Sequence, residues 1–338
     1  MTGPRLRQAR RMACVSSLSN TRPDQGRTPP AFDINVTAVE SVLHRSTLFA
    51  LGEYRCPVNH PQFSGGGPQL CPFIVFPRSS AKITRLGGKP LLHTPNSISL
   101  YDIGDIYCRD VVSREGDRSD WIAVAPSLLR EIGARQGLSA AAGERIFDRP
   151  IARSTPTIYA AQRALFMALR TNQCSSLLEV EERVIELVEW VCGEVARGDG
   201  IAPAHQIEAD QRFWGRSETI VDATLKALAT EFCSALGIAD ISARVHCSPG
   251  HLSRLFRRST GFTLHEYQQQ LRLRASLELL LDSRDGLSEV AMRLGFSNHS
   301  HFTSAFRRQF GMTPREFRGK RLGRPHNEPS QAMGCRTP

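Results

Sequence analysis

Two arginine pairs, Arg257-Arg258 and Arg307-Arg308, stand fifty residues apart, and each is followed three residues later by a glycine, Gly261 or Gly311. A guanidinium can fork onto the edge of a guanine or pair with a phosphate, and long basic side chains near a helix end suit the phosphate role. Short polar and basic side chains precede each pair. His251, Ser253 and Arg254 come before the first, and His299, Ser300, Thr303 and Ser304 before the second. On a helix lying in a major groove, arginine can reach guanine edges and phosphates alike. The chemistry on offer is recognition of a nucleic acid.

Other chemistries find little footing. His299-Ser300-His301 is an H-x-H triplet, but alternate residues on a helix point apart, which is poor geometry for zinc. His60 and His93 are isolated, so a cupin-type metal centre lacks its clustered ligands, and no metal or cofactor is expected. The nine cysteines run from Cys14 to Cys335 with no C-x-x-C pair, which fits reduced thiols rather than a disulfide framework or zinc ribbon. Cys56 and Cys71, beside prolines, read as inert buried thiols. No phosphate-binding loop, dinucleotide fingerprint or nucleophile elbow is present.

Charge is divided unevenly. Of the net +10, residues 1–30 carry six Arg against one Asp, residues 31–243 carry 21 basic and 25 acidic groups, and residues 244–324 carry 15 basic and six acidic groups. A basic C-terminal block beside a mildly acidic region points to a polyanion partner for that block. No stretch is apolar for long enough to span a membrane. The Arg-rich start lacks the apolar core of a secretory signal and reads as a disordered arm or as sequence ahead of a true start at Met12, with an Arg-rich transit peptide as the alternative.

The elements that must hold the arginines are legible because the chain repeats itself. Leu252–Tyr267 aligns with Phe302–Phe317 at an offset of 50, so that Phe256, Gly261, Thr263 and Glu266 recur as Phe306, Gly311, Thr313 and Glu316. Upstream, Ile241, Arg244, Val245 and Ser248 recur as Val290, Arg293, Leu294 and Ser297 at an offset of 49. In the first copy a short helix over Asp240–Val245 is followed by a turn, and Ser248-Pro249 opens a second helix. Leu252, Leu255 and Phe256 form its buried stripe, with His251, Arg254 and Arg258 outward. Gly261 is placed to end that helix in a left-handed conformation, and Thr263 with Glu266 forms a capping box for the next. The second copy repeats the plan, with Ser297 or Asn298 as the cap. Leu264–Leu281 reads as one helix holding the two units at a fixed distance. A short helix, a turn and a second helix with a basic outward face make a helix-turn-helix unit.

Residues 222–321 closely resemble the DNA-binding domain of the AraC/XylS family of bacterial transcription regulators, most of all over GFSNHSHFTSAFRRQFGMTPREFR, Gly295–Arg318. The resemblance implies a seven-helix domain whose two recognition helices enter successive major grooves. By position these are Pro249–Arg258 and Asn298–Arg308. It also implies His251, Ser253, Arg254, His299, Ser300, Thr303 and Ser304 on the base side, with Arg257, Arg258, Arg307 and Arg308 on phosphates. Three positions depart from the family pattern. Ser242 and His246 stand where Ala and Gly are usual, and Ser304 where Arg is frequent. His246 must therefore take the turn's left-handed conformation, which histidine tolerates better than most non-glycine residues.

From Phe32 to Val124 short apolar runs alternate with turns. Phe73–Phe76, Ser97–Tyr101 and Trp121–Val124 read as strands of a sandwich or small barrel. Helices are expected over Thr157–Arg170 and Leu177–Arg197. The β-rich region resembles, less specifically, the cupin-like sensor domains of the same family, which implies an unknown small-molecule effector with Tyr101, Tyr107 and Trp121 as candidate contacts. The stripe Val180, Val184, Leu187, Val191 and Val195 is either a homodimer seam or core of its own domain.

The fold expected is therefore multidomain α and β. It comprises a basic arm over 1–30, a β-sandwich or cupin-like sensor domain with a helical appendage over 31–197, a linker over 198–217, an all-α tandem helix-turn-helix domain over 218–321, and a tail over 322–338. The function expected is an effector-controlled, sequence-specific regulator in the cytoplasm, associated with the nucleoid. Its partners are double-stranded DNA and RNA polymerase, and it is not an enzyme. The alternative is a metal-dependent cupin enzyme fused to a DNA-binding module.

Overall fold

The computed structural model describes residues 37, 39–113, 116–138, 145–174, 176–198, 211–282 and 285–321. The arm over 1–30, the tail over 322–338 and most of the expected linker lie outside these residues. Two compact units are present, Met1–Arg272 and Leu273–Pro338. The first takes in the β-rich region and the first helix-turn-helix. The second holds the other copy.

Among the described residues, ten strands build two antiparallel sheets. β1 (Glu40–Arg45), β2 (Phe49–Cys56), β9 (Asp117–Val124), β4 (Phe73–Pro77), β7 (Ser97–Tyr101) and β10 (Ile151–Arg153) lie side by side in that order. β3 (Gly65–Gly66), β8 (Tyr107–Val111), β5 (Ala81–Arg85) and β6 (Pro90–His93) form the smaller sheet. The three expected strands are all present.

Successive side chains of a strand point to opposite faces, and the larger sheet uses both. On β9, Ile122 and Val124 enter one core with Phe49, Leu51, Ile74 and Leu100, while Trp121 and Ala123 enter a second with Tyr54, Phe73 and Tyr101. Helices cover the first face: α1 (Pro126–Arg135), α2 (Pro156–Arg170) and α3 (Leu177–Arg197). The sequence does not announce α1, a ten-residue helix whose signal is weakened by Gly133. Val180, Val184, Leu187, Val191 and Val195 are all buried in this core. The stripe expected as core or dimer seam is thus used within its own domain, where the sheet and two neighbouring helices already exclude water from it.

A buried ionic cluster fastens α2 to the sheet. Asp120, fully buried on β9, accepts from Gln162 Nε2 at 2.6 Å and Arg163 at 2.8 Å, and lies 3.3 Å from Arg78. Glu53 on β2 takes the Arg170 guanidinium.

The helical region begins with α4 (Gln211–Glu231), which takes in the last part of the stretch expected as linker. It continues with α5 (Ile238–Arg244), α6 (Pro249–Thr260), α7 (Leu264–Asp282), α8 (Leu287–Arg293), α9 (His299–Phe310) and α10 (Pro314–Arg321). These are seven helices among the described residues. In the first unit Ile220, Leu225, Ile241, Leu252, Phe256, Tyr267 and Leu271 share one core. In the second, Phe296, Phe302, Phe306, Phe310 and Phe317 form a chain of ring contacts with centroids 4.7–5.8 Å apart.

Candidate DNA interface and the cavity of the β-rich domain

The two helix-turn-helix copies are built from matching local bonds. Ser248 Oγ accepts from His251 N at 3.4 Å to open α6, and Asn298 Oδ1 accepts from His301 N at 2.8 Å to open α9. The cap of the second copy is therefore Asn298, with Ser297 Oγ placed 3.3 Å from His301 Nδ1. Both helices end on left-handed glycines, Gly261 at φ 76° and Gly311 at φ 72°, and each glycine N–H donates at 2.8 Å to the carbonyl of the first arginine of its pair. Thr263 and Glu266 exchange hydrogen bonds of 2.8 and 3.2 Å, while Thr313 and Glu316 do so at 2.7 and 3.2 Å. Bonds from the Thr263 backbone and hydroxyl hold the Glu266 carboxyl below its usual range. Arg244 pairs with Glu231 and its repeat partner Arg293 with Asp285, so each short first helix is tied to the segment before it.

The outward faces carry the expected side chains. Leu252, Leu255 and Phe256 are buried, and so are Phe302, Ala305 and Phe306. Arg254, Arg257 and Arg258 on α6 are exposed, as are His299, Ser300, Ser304, Arg307 and Arg308 on α9. His251, Ser253 and Thr303 are half-buried, and Thr303 Oγ1 lies 3.4 Å from His299 Nε2. Helices α6 and α9 thus each present short polar groups along the outward side and a pair of guanidinium groups at the C-terminal end.

Between the two sheets lies a cavity of about 110 Å³. Its walls include Tyr101, Tyr107 and Trp121, the three aromatic residues singled out from the sequence. Glycines make room for two of these rings. A Cβ at Gly52 would collide with the Trp121 ring, and one at Gly66 would come within 2.6 Å of the Tyr107 hydroxyl.

Sequence reasoning misses the charged heart of this cavity, Arg109. Its Nε lies 2.6 Å from Asp117 Oδ2, and its NH1 donates to the Tyr54 hydroxyl at 2.6 Å and to Phe63 O at 3.0 Å. The guanidinium also stacks 4.6 Å from the Tyr54 ring centroid. Burial opposes its charge, but Tyr107, Asp117 and Tyr54 more than offset that, so its pKa lies above the ordinary arginine value. Nothing local in the sequence marks these residues, because Tyr54, Arg109 and Asp117 come from three separate strands. Glu40, also on the wall, is raised above the usual carboxylate range by burial, against bonds from Thr37 that lower it.

His93, buried on the same wall, places Nδ1 against Ser99 Oγ. Burial, with Arg85 and Arg109 nearby, pushes its pKa down to about 3, so the ring is neutral. The Trp121 indole Nε1 is buried and makes no hydrogen bond among the described residues. His60 caps the short 3-10 helix Pro61–Ser64 by accepting from Gln62 N. Among the described residues no three His, Cys, Asp or Glu side chains gather where they could hold a metal ion. Among the same residues no helix is long and apolar enough to cross a membrane.

Residues 241–320 match the helix-turn-helix domain family. Among relatives, the HTH-type transcriptional activator RhaR of Salmonella dublin is 34% identical over 101 residues, which is 30% of this chain and 36% of RhaR. The chain therefore spans little more than a third of that relative's length. The uncharacterized HTH-type transcriptional regulator YidL of Escherichia coli K12 is 28% identical over 237 residues, 67% of this chain and 70% of YidL. A solved transcriptional regulator of the AraC-type DNA-binding group from Chromobacterium violaceum is 28% identical, with 33% of this chain and 99% of that one covered and a TM-score of 0.30. The C-terminal region is a helix-turn-helix domain, a DNA-binding class. The β-rich region precedes it in the chain.

Proposed function

We propose that this protein is a sequence-specific transcription regulator that binds double-stranded DNA through α6 and α9 and answers a small molecule held in the cavity of its β-rich domain. The observation that carries the reading is the duplicated helix-turn-helix. Two recognition helices, each opened by a side-chain cap and closed by a left-handed glycine, present an outward polar face and a terminal arginine pair. His251, Ser253 and Arg254 serve as base-side residues of the first helix, and His299, Ser300, Thr303 and Ser304 of the second. Arg257, Arg258, Arg307 and Arg308 hold phosphates. One chain then reads two successive major grooves, and its site is not palindromic. On this reading the protein works in the cytoplasm on the nucleoid, with RNA polymerase as the partner through which transcription responds, and it catalyses no reaction.

The effector proposed is small and uncharged. A cavity of about 110 Å³ is of the order that holds a single six-membered ring. The Arg109 charge is already answered by Asp117, and His93 is neutral, so an anion would meet no unopposed cation.

The test is selection of double-stranded DNA from a random library with the full chain. The expected result is one enriched asymmetric site, with two conserved blocks about 10 base pairs apart. Recovery of DNA without any shared sequence would overturn the reading.

A further inference from the structure

Strand β6 faces two ways. His93 lines the cavity, while Leu92, one residue earlier, is buried in the core of the first helix-turn-helix with Ile220, Phe256 and Leu271. Strand alternation alone dictates this division. The turn that follows β6 grips the same core. Thr94 Oγ1 lies 2.7 Å from the Tyr267 hydroxyl, and Asn96 Nδ2 donates to the Tyr267 carbonyl at 3.1 Å. All three residues are at most 2% exposed. Two residues after the turn opens β7, Ser99 returns to the cavity wall against His93.

Tyr267 in turn packs edge-on against Phe256 of recognition helix α6, with centroids 5.5 Å apart. Flanking contacts widen the joint. Lys82 of β5 pairs with Asp222 of α4 at 2.9 Å, and the Arg153 guanidinium lies 5.5 Å from the Phe262 ring. Arg254, Arg257 and Arg258 stay exposed in this arrangement. The β-rich domain therefore holds the first helix-turn-helix from its core side and does not cover the face that reads DNA.

We propose that the β6–β7 turn couples the cavity to the first recognition helix. A change at His93 or Ser99 moves Thr94 and Asn96, which carry Tyr267 and, through its ring, Phe256. This rests on the reading of the cavity as an effector site. The device acts by orienting α6 rather than by masking it, and by linkage DNA bound to α6 must act back on the cavity to the same degree.

Hydrogen exchange of the full chain, with neither effector nor DNA, tests the coupling. Ser99→Val removes the partner of His93 at the cavity wall. Amide exchange in peptides spanning residues 252–272 is expected to rise about fivefold, the factor one net hydrogen bond supplies, while α1 is unchanged. In the background of Asn96→Ala with Tyr267→Phe, that transmitted rise is expected to vanish. His93→Gln gives a second entry to the same wall if Ser99→Val does not fold. A change confined to residues 90–101 would overturn the proposal. So would a rise of equal size in α1, which would mark a general loss of stability. A fruitless search for effectors would count against the effector reading alone and leave these exchange results standing.

Discussion

His246 and Gly295 occupy the same position in the two helix-turn-helix turns, and both have positive φ, 52° and 76°. The first is a side chain in a conformation that glycine takes without steric cost. The N–H of His246 reaches Ala243 O at 3.4 Å, and that of Gly295 reaches Met292 O at 3.0 Å. One backbone path is thus imposed on two different residues, and the histidine copy bears the strain.

His246→Gly is accordingly expected to stabilise the protein by about 1 kcal/mol, since the left-handed region costs an L-residue roughly 1–2 kcal/mol and the added flexibility of unfolded glycine takes part of this back. Urea unfolding would report it. An unchanged or lowered midpoint would show that the turn is not strained.

Ser242 is buried and its hydroxyl has no hydrogen-bond partner among the described residues, whereas the repeat places the equally buried Ala291 at the same point. Removing an unsatisfied buried hydroxyl relieves a desolvation cost of about 1–3 kcal/mol. Ser242→Ala should therefore raise the thermal midpoint, and a fall would contradict this account.

For DNA, Arg254→Ala is expected to cost about 1–3 kcal/mol on the selected site and to relax preference at one position. Arg307→Ala should weaken binding to all sequences and reduce the salt slope by about 1. Fluorescence anisotropy on selected and scrambled duplexes over a salt series separates the two roles. A loss on Arg307→Ala seen only with the selected site would refute the phosphate assignment.

Asp120 answers Arg163, Gln162 and Arg78 in a site closed to water. Asp120→Ala takes this carboxylate from the buried Arg163 and leaves Arg78 with Glu53 at 3.7 Å, and a loss of about 3–5 kcal/mol is expected. Calorimetry of the full chain measures this, and a loss below about 1 kcal/mol, the size of an exposed pair, would mean that solvent reaches the cluster.

His93 makes stability depend on pH in a defined direction. Its folded pKa, about 3, is depressed, so below pH 6.5 the unfolded chain binds a proton that the folded ring refuses. The contribution is complete above about pH 6.5 and falls by up to about 1.4 kcal/mol per unit as pH drops towards 3. Comparing His93→Gln with the parent between about pH 7 and 5, a window straddling the unfolded histidine pKa, should show a shallower slope in the variant. Equal slopes would place the proton elsewhere.

Much of the C-terminal region is legible from local signals. Caps, glycine stops and capping boxes act within four residues, and a repeated string exposes them twice. That is why the sequence includes Asn298 among the candidate caps, while the left-handed turn at His246 is what the family resemblance implies. Helix α1 escapes notice because a ten-residue helix with an internal glycine carries too weak a periodicity. Tyr101, Tyr107 and Trp121 stand out as aromatics in strand text, yet their convergence on one cavity cannot be read from spacing.

Periodicity and short-range hydrogen bonding are enough to establish the duplicated helix-turn-helix, its outward arginines and the β character of the first domain. Folding in three dimensions was needed to bring Arg109 to Asp117 between two sheets, to spend the valine stripe of α3 on its own core, and to set Thr94 and Asn96 against Tyr267 from 171 or more residues away. Those pairings depend on how strands order themselves in a sheet and on which faces exclude water. Neither leaves a mark on neighbouring residues.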